Sequence, residues 1–542
     1  MDTLYDYIIV GAGSAGAILA HRLTQSGEHR VLLIEAGGEA NSFWFKLPVG
    51  YIKSYFNPKT NWMFSSTPQT HLGGRRLYAP RGKVLGGSGA INAMIYVRGQ
   101  RQDFDDWRDA GNPGWGFDEV LPYFRKLETH PNGADAWRGD QGLIGITPMK
   151  GLAHPICDDY LAACEALGLP HTPDFNGAQF EGAGIYETNI RRGQRSSSGA
   201  EYLTPARKRD KLTVMTHTQA LRLLFADGAS PQVTGVRVCH KDHEFNVHAR
   251  KEVIVAAGAV GSPQLLQCSG IGEEQALRRL GIQVKHHLPQ VGKNLQDHLC
   301  ASFYYRATRP TLNDEFNSLW GQMRAGLQYL LTRQGPLSLS VNQAGGFFKG
   351  SAQEAQANLQ LYFNPLSYTI PPNPKASLKP EPYSGFLMAF NACRPTSTGE
   401  VRIDASDARQ APAIDPNYLS TARDQEEVLQ AVRLIRRLTD TAPLRALMEA
   451  EVTPGVDIQS DAQMLQYYKD NCGSIYHLCG TCAMGSDAQT SVVDAQLRVH
   501  GVQGLRVIDA SVFPNITSGN INAPTMMVAE KGADLVLSTS AA

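Results

Sequence analysis

An apolar run, Tyr7-Ile8-Ile9-Val10, passes directly into Gly11-Ala12-Gly13-Ser14-Ala15-Gly16 and then into Ala17-Ile18-Leu19-Ala20-His21-Arg22-Leu23. Strand, G-x-G-x-x-G turn and helix in that order predict the opening of a dinucleotide-binding fold. The three glycines act differently. Gly11 permits the tight turn, Gly13 lets the backbone approach a pyrophosphate, and Gly16 lets the helix pack close to the strand. The helix N-terminus then faces phosphate charge. A second apolar run, Arg30-Val31-Leu32-Leu33-Ile34, ends in Glu35, nineteen residues past Gly16. An acid there is placed to accept hydrogen bonds from a ribose and disfavours a 2′-phosphate. NAD and the ADP half of FAD both satisfy these features.

At 542 residues the chain exceeds the ~250–300 residues at which single hydrophobic cores stop growing, so two domains are expected. Lys+Arg 51 balance Asp+Glu 51, leaving no long-range field to gather phosphate backbones or anionic lipid, which argues against nucleic acid and membrane surfaces as partners. Nine cysteines, an odd number scattered through a large chain, fit reduced thiols better than a disulfide framework. Residues 1–7 enter the first strand without a basic n-region or cleavage site, and no window reaches the ~18 consecutive apolar residues of a spanning helix. A cytoplasmic protein is expected.

Two further segments carry a family resemblance. Arg81-Gly82-Lys83-Val84-Leu85-Gly86-Gly87-Ser88-Gly89-Ala90-Ile91-Asn92 resembles the first signature of the glucose-methanol-choline (GMC) oxidoreductases, and Gly258-Ala259-Val260-Gly261-Ser262-Pro263-Gln264-Leu265-Leu266-Gln267-Cys268-Ser269-Gly270-Ile271-Gly272 resembles the second. Glycine density has a local reason, since only residues without a Cβ let the main chain lie against a planar ring. The strand-like Glu252-Val253-Ile254-Val255 before the second signature and Leu505-Arg506-Val507-Ile508-Asp509-Ala510 near the C-terminus have the pattern of parallel strands delivering loops to a cofactor.

The resemblance runs from the first strand to the closing segment Met526-Met527-Val528-Ala529-Glu530-Lys531-Gly532-Ala533-Asp534-Leu535 and is weakest between about residues 300 and 460. It implies an α/β protein with a Rossmann-like FAD-binding domain built from discontinuous segments (1–154, 196–299 and 461–542). A substrate-binding domain with an antiparallel sheet covered by helices (155–195 and 300–460) completes it. FAD is the implied cofactor. Its implied contacts are Gly11, Gly13, Ser14, Ala15 and Gly16; Glu35 and Ala36; Arg81, Gly82, Val84, Gly86, Gly87, Ser88 and Asn92 of the first signature; and Ala93, Met94 and Ile95 beyond it. Ala257, Gly258, Asp509, Ala510, Asn520, Pro524 and Thr525 complete the set. The Pro-rich piece Ile370-Pro371-Pro372-Asn373-Pro374-Lys375 reads as a loop that borders the active-site entrance.

Oxidising an alcohol by hydride transfer needs a base for the hydroxyl proton, and histidine suits this near neutral pH. Ser474-Ile475-Tyr476-His477-Leu478-Cys479-Gly480-Thr481-Cys482 resembles the family's catalytic segment, with Leu478 and Cys479 departing from its usual form. His477 is the implied base. Asn520, eleven residues before Lys531 in the closing segment, falls where the family carries a second His or Asn, with Asn522 as the alternative. An amide there can hold the substrate oxygen without competing for the proton. Cys479 and Cys482 read as core or pocket thiols, because two further zinc ligands at suitable spacing are not evident.

The expected reaction is oxidation of a neutral alcohol, aromatic or aliphatic and most simply primary, to the aldehyde. Oxygen or another acceptor takes the electrons, and a dehydrogenase is favoured over an oxidase. A family lyase acting on a cyanohydrin and a non-catalytic flavin-binding protein are the alternatives. Relatives with histidyl-linked flavin carry His immediately before the Asn that closes the first signature, where this chain has Ile91, so FAD is expected to be non-covalent. Choline-oxidising relatives carry a glutamate shortly after a Q-D-H segment, where Gln296-Asp297-His298-Leu299 is followed by Cys300.

Overall fold

The protein is described from a computed structural model covering residues 4–369 and 379–540. The Pro-rich piece at 370–375 lies outside the described residues. Two seven-stranded sheets organise the chain. The first runs, edge to edge, Leu212–Met215, Val31–Ile34, Leu4–Val10, His243–Val255, Val233–His240 and Thr218–Phe225, with Leu505–Val507 added to His243–Val255. The strands from Leu212–Met215 to His243–Val255 are parallel, as is Leu505–Val507, and the last two pairings are antiparallel. Val31–Ile34 is buried at every residue, as a central parallel strand covered on both faces must be. The helix Ser14–Leu23 packs on the closing helix Asn522–Ser540, bringing the first and last elements of the chain together.

The second sheet is antiparallel throughout, in the order Met448–Thr453, Leu299–Ala307, Gly385–Ala392, Leu359–Asn364, Ala344–Phe348 and Gly182–Ile185. Gly473–Ser474, past residue 460, pairs with Leu299–Ala307 and so delivers the His477 segment from this sheet. Period-two alternation divides the faces. Ala301, Phe303, Tyr305, Leu361, Phe363, Phe386, Met388 and Phe390 point into a core shared with the helices Ala422–Thr439 and Ile156–Ala166. Cys300, Ser302, Tyr304, Tyr362, Asn364, Leu387 and Ala389 occupy the other face and line a cavity. Registers place Ser302, Ala389 and Tyr362 in one row across the strands and Tyr304, Leu387 and Asn364 in the next. Among the described residues, no helix is long and apolar enough to cross a membrane.

Candidate functional site

The cavity, about 1420 Å³, extends from the glycine loops of the first sheet to the inner face of the second. At its nucleotide end two glycine loops lie against each other. A Cβ on Gly87 (φ +54°) would stand 2.7 Å from Cα of Gly13, and one on Gly82 would stand 2.2 Å from the Gly87 carbonyl carbon. The Gly86 N–H donates to the Ala12 carbonyl at 2.8 Å. Gly11, at φ +100°, could not carry a side chain, because its Cβ would meet Ala256 O at 2.5 Å. Gly13, Ser14 and Ala15 line the cavity, and no side chain caps the helix they begin. The orphan N–H groups of that first turn are therefore available to an anion.

Glu35 lines the same end, but both its oxygens already accept from the backbone, from Ala12 N at 3.0 Å and Gly37 N at 2.8 Å. Burial pushes its carboxyl up to about 7, against the pull of those two donors. Each carboxylate oxygen keeps a second lone pair for a ribose hydroxyl. Asp509 accepts from Gly258 N at 2.8 Å, Ser262 Oγ at 2.6 Å and Ser511 N at 2.7 Å, tying the second signature to the C-terminal block at the cavity wall. Asn92 Oδ1 accepts from Met94 N at 3.1 Å and from Arg195 Nη1 at 2.6 Å. An extended dinucleotide fits this cradle.

Ala36, Arg81, Ser88, Ala93, Met94, Ile95, Ala257, Ala510 and Thr525 also line the cavity. Four residues assigned to the cofactor do not. Gly16 sits beneath the loop, where a Cβ would meet Gly11 O at 1.8 Å. Val84 packs with Phe45, Ala90 and Ile91. Gly86 braces the glycine loops as described, and Pro524 is buried in the closing helix. They shape the cradle from behind.

At the junction of cradle and sheet, His477 Nε2 and Asn520 Nδ2 are 3.2 Å apart, and both residues line the cavity. Asn522 also lines the cavity, but its Oδ1 accepts from Ser14 Oγ at 2.8 Å. The other ring nitrogen of His477, Nδ1, is 2.8 Å from Nδ1 of His298, whose Nε2 is 2.8 Å from the Cys393 carbonyl oxygen. This chain fixes the tautomers. A carbonyl only accepts, so His298 carries its proton on Nε2 and offers Nδ1 as an acceptor. His477 must then donate from Nδ1, which leaves the lone pair on Nε2, facing Asn520 and the cavity. Both rings are neutral at pH 7: burial lowers His298 to about 4, and burial, then His298, then Arg81 hold His477 well below 6.5.

The backbone at His477 is held just as firmly. Tyr476 sits at φ +71°, a left-handed conformation that costs a tyrosine about 1–2 kcal/mol. Buried Asp297 compensates by accepting from the His477 N–H at 2.7 Å and from the hydroxyls of Ser474 and Tyr418. Arg81 donates to the Tyr476 carbonyl. Asp297 and His298 stand in the sequence within the segment 296–298, which is conspicuous there only through the Cys300 that comes after it. A His–His contact across 179 positions has no local signal. Cys479 and Cys482 are buried core thiols, raised well above their ordinary range by burial.

Known proteins resemble the chain along nearly its whole length. The GMC oxidoreductase family profiles match residues 5–300 and 395–529. The chain is 39% identical over 540 residues to an oxygen-dependent choline dehydrogenase of Photobacterium profundum, covering 99% of this chain and 94% of that protein. It is 38% identical over 545 residues to the protein of that name from Vibrio vulnificus, covering 99% and 95%. Among solved structures, pyridoxine 4-oxidase from Mesorbium loti is similar at TM-score 0.87 and 32% identity, over 98% of each chain. A fungal aryl-alcohol oxidase is similar at TM-score 0.84 and 25% identity, over the whole of both chains.

Proposed function

The chain belongs to the GMC oxidoreductase family, and we propose that it is an FAD-dependent enzyme that oxidises a neutral alcohol to the aldehyde. The observation that carries this reading is the His477–Asn520 pair, set between a dinucleotide cradle and a sheet face whose cavity-lining side chains are uncharged. An alcohol hydroxyl arriving between the two replaces their mutual hydrogen bond. It donates to Nε2 of His477 and accepts from Nδ2 of Asn520. As the O–H proton moves onto Nε2, negative charge gathers on the substrate oxygen, where the Asn520 amide meets it. The charged His477 ring keeps its Nδ1–H on His298, so the proton is taken up without reorienting the base. FAD, when bound, supplies the hydride acceptor. Gly11, Gly13, Ser14, Ala15, Glu35, Asp509 and the loop at 81–95 would hold it. The relatives and structures named above are dehydrogenases and oxidases, which supports redox chemistry over the lyase and non-catalytic alternatives.

The division into a nucleotide lobe (1–154, 196–299 and 461–542) and a substrate lobe (155–195 and 300–460) belongs to this proposal, supported by the distribution of strands between the two sheets. A reducing, cytoplasmic setting is supported by nine cysteines that are all free.

FAD is proposed to be non-covalent. The residue before Asn92 is Ile91, buried to 8% exposure, and an alkyl side chain cannot bond the isoalloxazine. Acid precipitation should therefore leave the protein pellet colourless and the supernatant yellow. A yellow pellet would contradict this assignment.

The substrate is proposed to be neutral because, among the described residues, the sheet face beyond His477 lines the cavity with Cys300, Ser302, Tyr304, Tyr362, Asn364, Leu387 and Ala389 and no carboxylate; Glu381 and Asp470 reach the cavity wall from outside that sheet. Tyrosine faces could attract a quaternary ammonium with about 0.5–2 kcal/mol. Desolvating an unpaired cation costs more than that. Benzylic or medium-chain primary alcohols should show kcat/KM above that of choline by roughly tenfold or more, the ratio given by about 1.4 kcal/mol. Anaerobic bleaching of the flavin across an alcohol panel, repeated with oxygen and with an artificial acceptor, measures this. Choline as the best substrate would overturn the neutral-pocket reading, despite leaving the alcohol chemistry intact.

A further inference from the structure

The helix Leu319–Thr332 is built inside out. Its buried residues are Gly321, Ala325 and Tyr329, while Trp320, Met323, Leu327, Leu330 and Leu331 face solvent. Trp320 is 74% exposed and Leu331 75%. The spacing is that of one continuous helical face. The inner face is close to its support, since a Cβ on Gly321 would meet Glu315 O at 2.2 Å. Beside it lies the short helix Phe43–Lys46, whose Phe43 ring is 6.2 Å from that of Tyr329 and whose Trp44 is also exposed. Of the eleven large apolar side chains exposed among the described residues, eight lie on these two helices. A contiguous patch of this kind marks an interaction surface.

Charge indicates what covers it. Residues 41–59 contain Lys46, Lys53 and Lys59, residues 316–337 contain Arg324 and Arg333, and neither segment contains an Asp or Glu; Arg324 pairs at 3.3 Å with Glu315, just before the second segment. In a chain whose charges sum to zero, that segregation is local. Lys53 lies over the exposed Trp44 ring at 5.8 Å, which places a cation along the apolar patch, while Arg333 closes the C-terminal end of the long helix over the buried Tyr329 ring at 4.9 Å. Exposed Arg192 adjoins Arg333 through the neighbouring Gly193. An amphipathic element with apolar and indole groups on one face and cations at its margin suits the headgroup layer of an anionic bilayer. The same two segments wall the cavity, through Val49, Tyr51, Ile52 and Tyr55 on one side and Phe316 and Leu337 on the other.

We propose that this face docks the enzyme peripherally on an anionic lipid surface, with Trp320 and the leucines in the interfacial layer and the wall of the cavity beside it. Docking stands on the surface alone. Its use, drawing apolar alcohols from the bilayer, rests on the alcohol-oxidising reading above.

FAD-loaded full-length protein should co-sediment with vesicles of equimolar phosphatidylcholine and phosphatidylglycerol, and bind vesicles of phosphatidylcholine alone roughly tenfold or more weakly. The triple variant Trp320→Glu, Leu327→Glu, Leu331→Glu should lose the binding, while its flavin content and its turnover of a water-soluble alcohol stay within about twofold of the parent. Binding that the triple variant retains, or absence of binding to either vesicle, overturns the proposal. So does a dimer in light scattering that the triple variant converts to monomer, because the face is then covered by a second copy of the chain. Failure of alcohol turnover with vesicle binding intact would refute the alcohol reading and leave the docking in place.

Discussion

His477→Ala should slow flavin reduction by about 10²–10⁴-fold while the protein still folds and retains FAD. The magnitude is that of general-base catalysis, and the structure locates its source in one lone pair, on Nε2, left free by the tautomer chain from the Cys393 carbonyl through His298. The pH dependence arises from the same groups. His477 is held well below 6.5, chiefly by burial, then by His298 and Arg81. Its neutral, proton-accepting form is therefore complete at pH 7 and above, so the parent rate should be level through neutral pH and decline only on the acid side of 6.5. The variant has no such base to protonate, and this acid limb should disappear from its much lower profile. Stability carries the same sign. A histidine that is neutral when folded and free to protonate when unfolded contributes fully above 6.5 and progressively less as pH falls below it. Anaerobic stopped flow across pH, with flavin content as the control for folding, measures both. A folded, FAD-loaded variant reducing its flavin at near the parent rate would mean that another group takes the proton.

The nucleotide lobe was legible because its information is local. Strand, glycine turn and helix are consecutive between Tyr7 and Leu23, and the conformation of Gly11 at φ +100° accords with a residue type visible in the sequence. The His477 segment was recognisable for the same reason. What surrounds it was not, because its partners are distant or have no side-chain identity. The acceptor that sets the tautomers is a backbone carbonyl, at Cys393, and a carbonyl is common to every residue. Asp297 acts on the His477 main chain from 180 positions away. The exposed helix was hidden differently. The apolar spacing of Trp320, Met323, Leu327 and Leu331 reads in sequence as a core-facing stripe; only packing shows that the small residues Gly321 and Ala325 face inward instead. Net charge is silent about such local features, since a balance of 51 against 51 averages over the chain and does not show two segments without an acid.

Asn520→Ala should lower flavin reduction by about 10²–10³-fold, the usual loss when one preorganised donor to a developing oxyanion is removed. Preorganisation is visible in the loop that carries it. Ser518 is pinned by Asp103, which accepts from its N–H at 2.7 Å and from its hydroxyl at 3.0 Å, and by Gln100 Nε2 at 2.7 Å. Gly519, at φ +93°, then turns the chain where a Cβ would meet Val97 Cγ1 at 2.9 Å. The amide is thus held 3.2 Å from Nε2 of His477 by main-chain geometry, before any substrate arrives. Because an amide does not titrate, the variant should keep the parent's level neutral region and acid limb, with only the height reduced. Charge at the same position separates donation from simple space filling. Asn520→His restores a donor through either ring nitrogen and should recover part of the lost rate. Asn520→Asp, nearly the same size, places an acceptor-only carboxylate against the oxygen that gains negative charge, and should fall below Asn520→Ala. If Asn520→Asp instead matches the parent, or Asn520→Ala moves the acid limb without lowering the plateau, Asn520 is not the group that steadies the substrate oxygen.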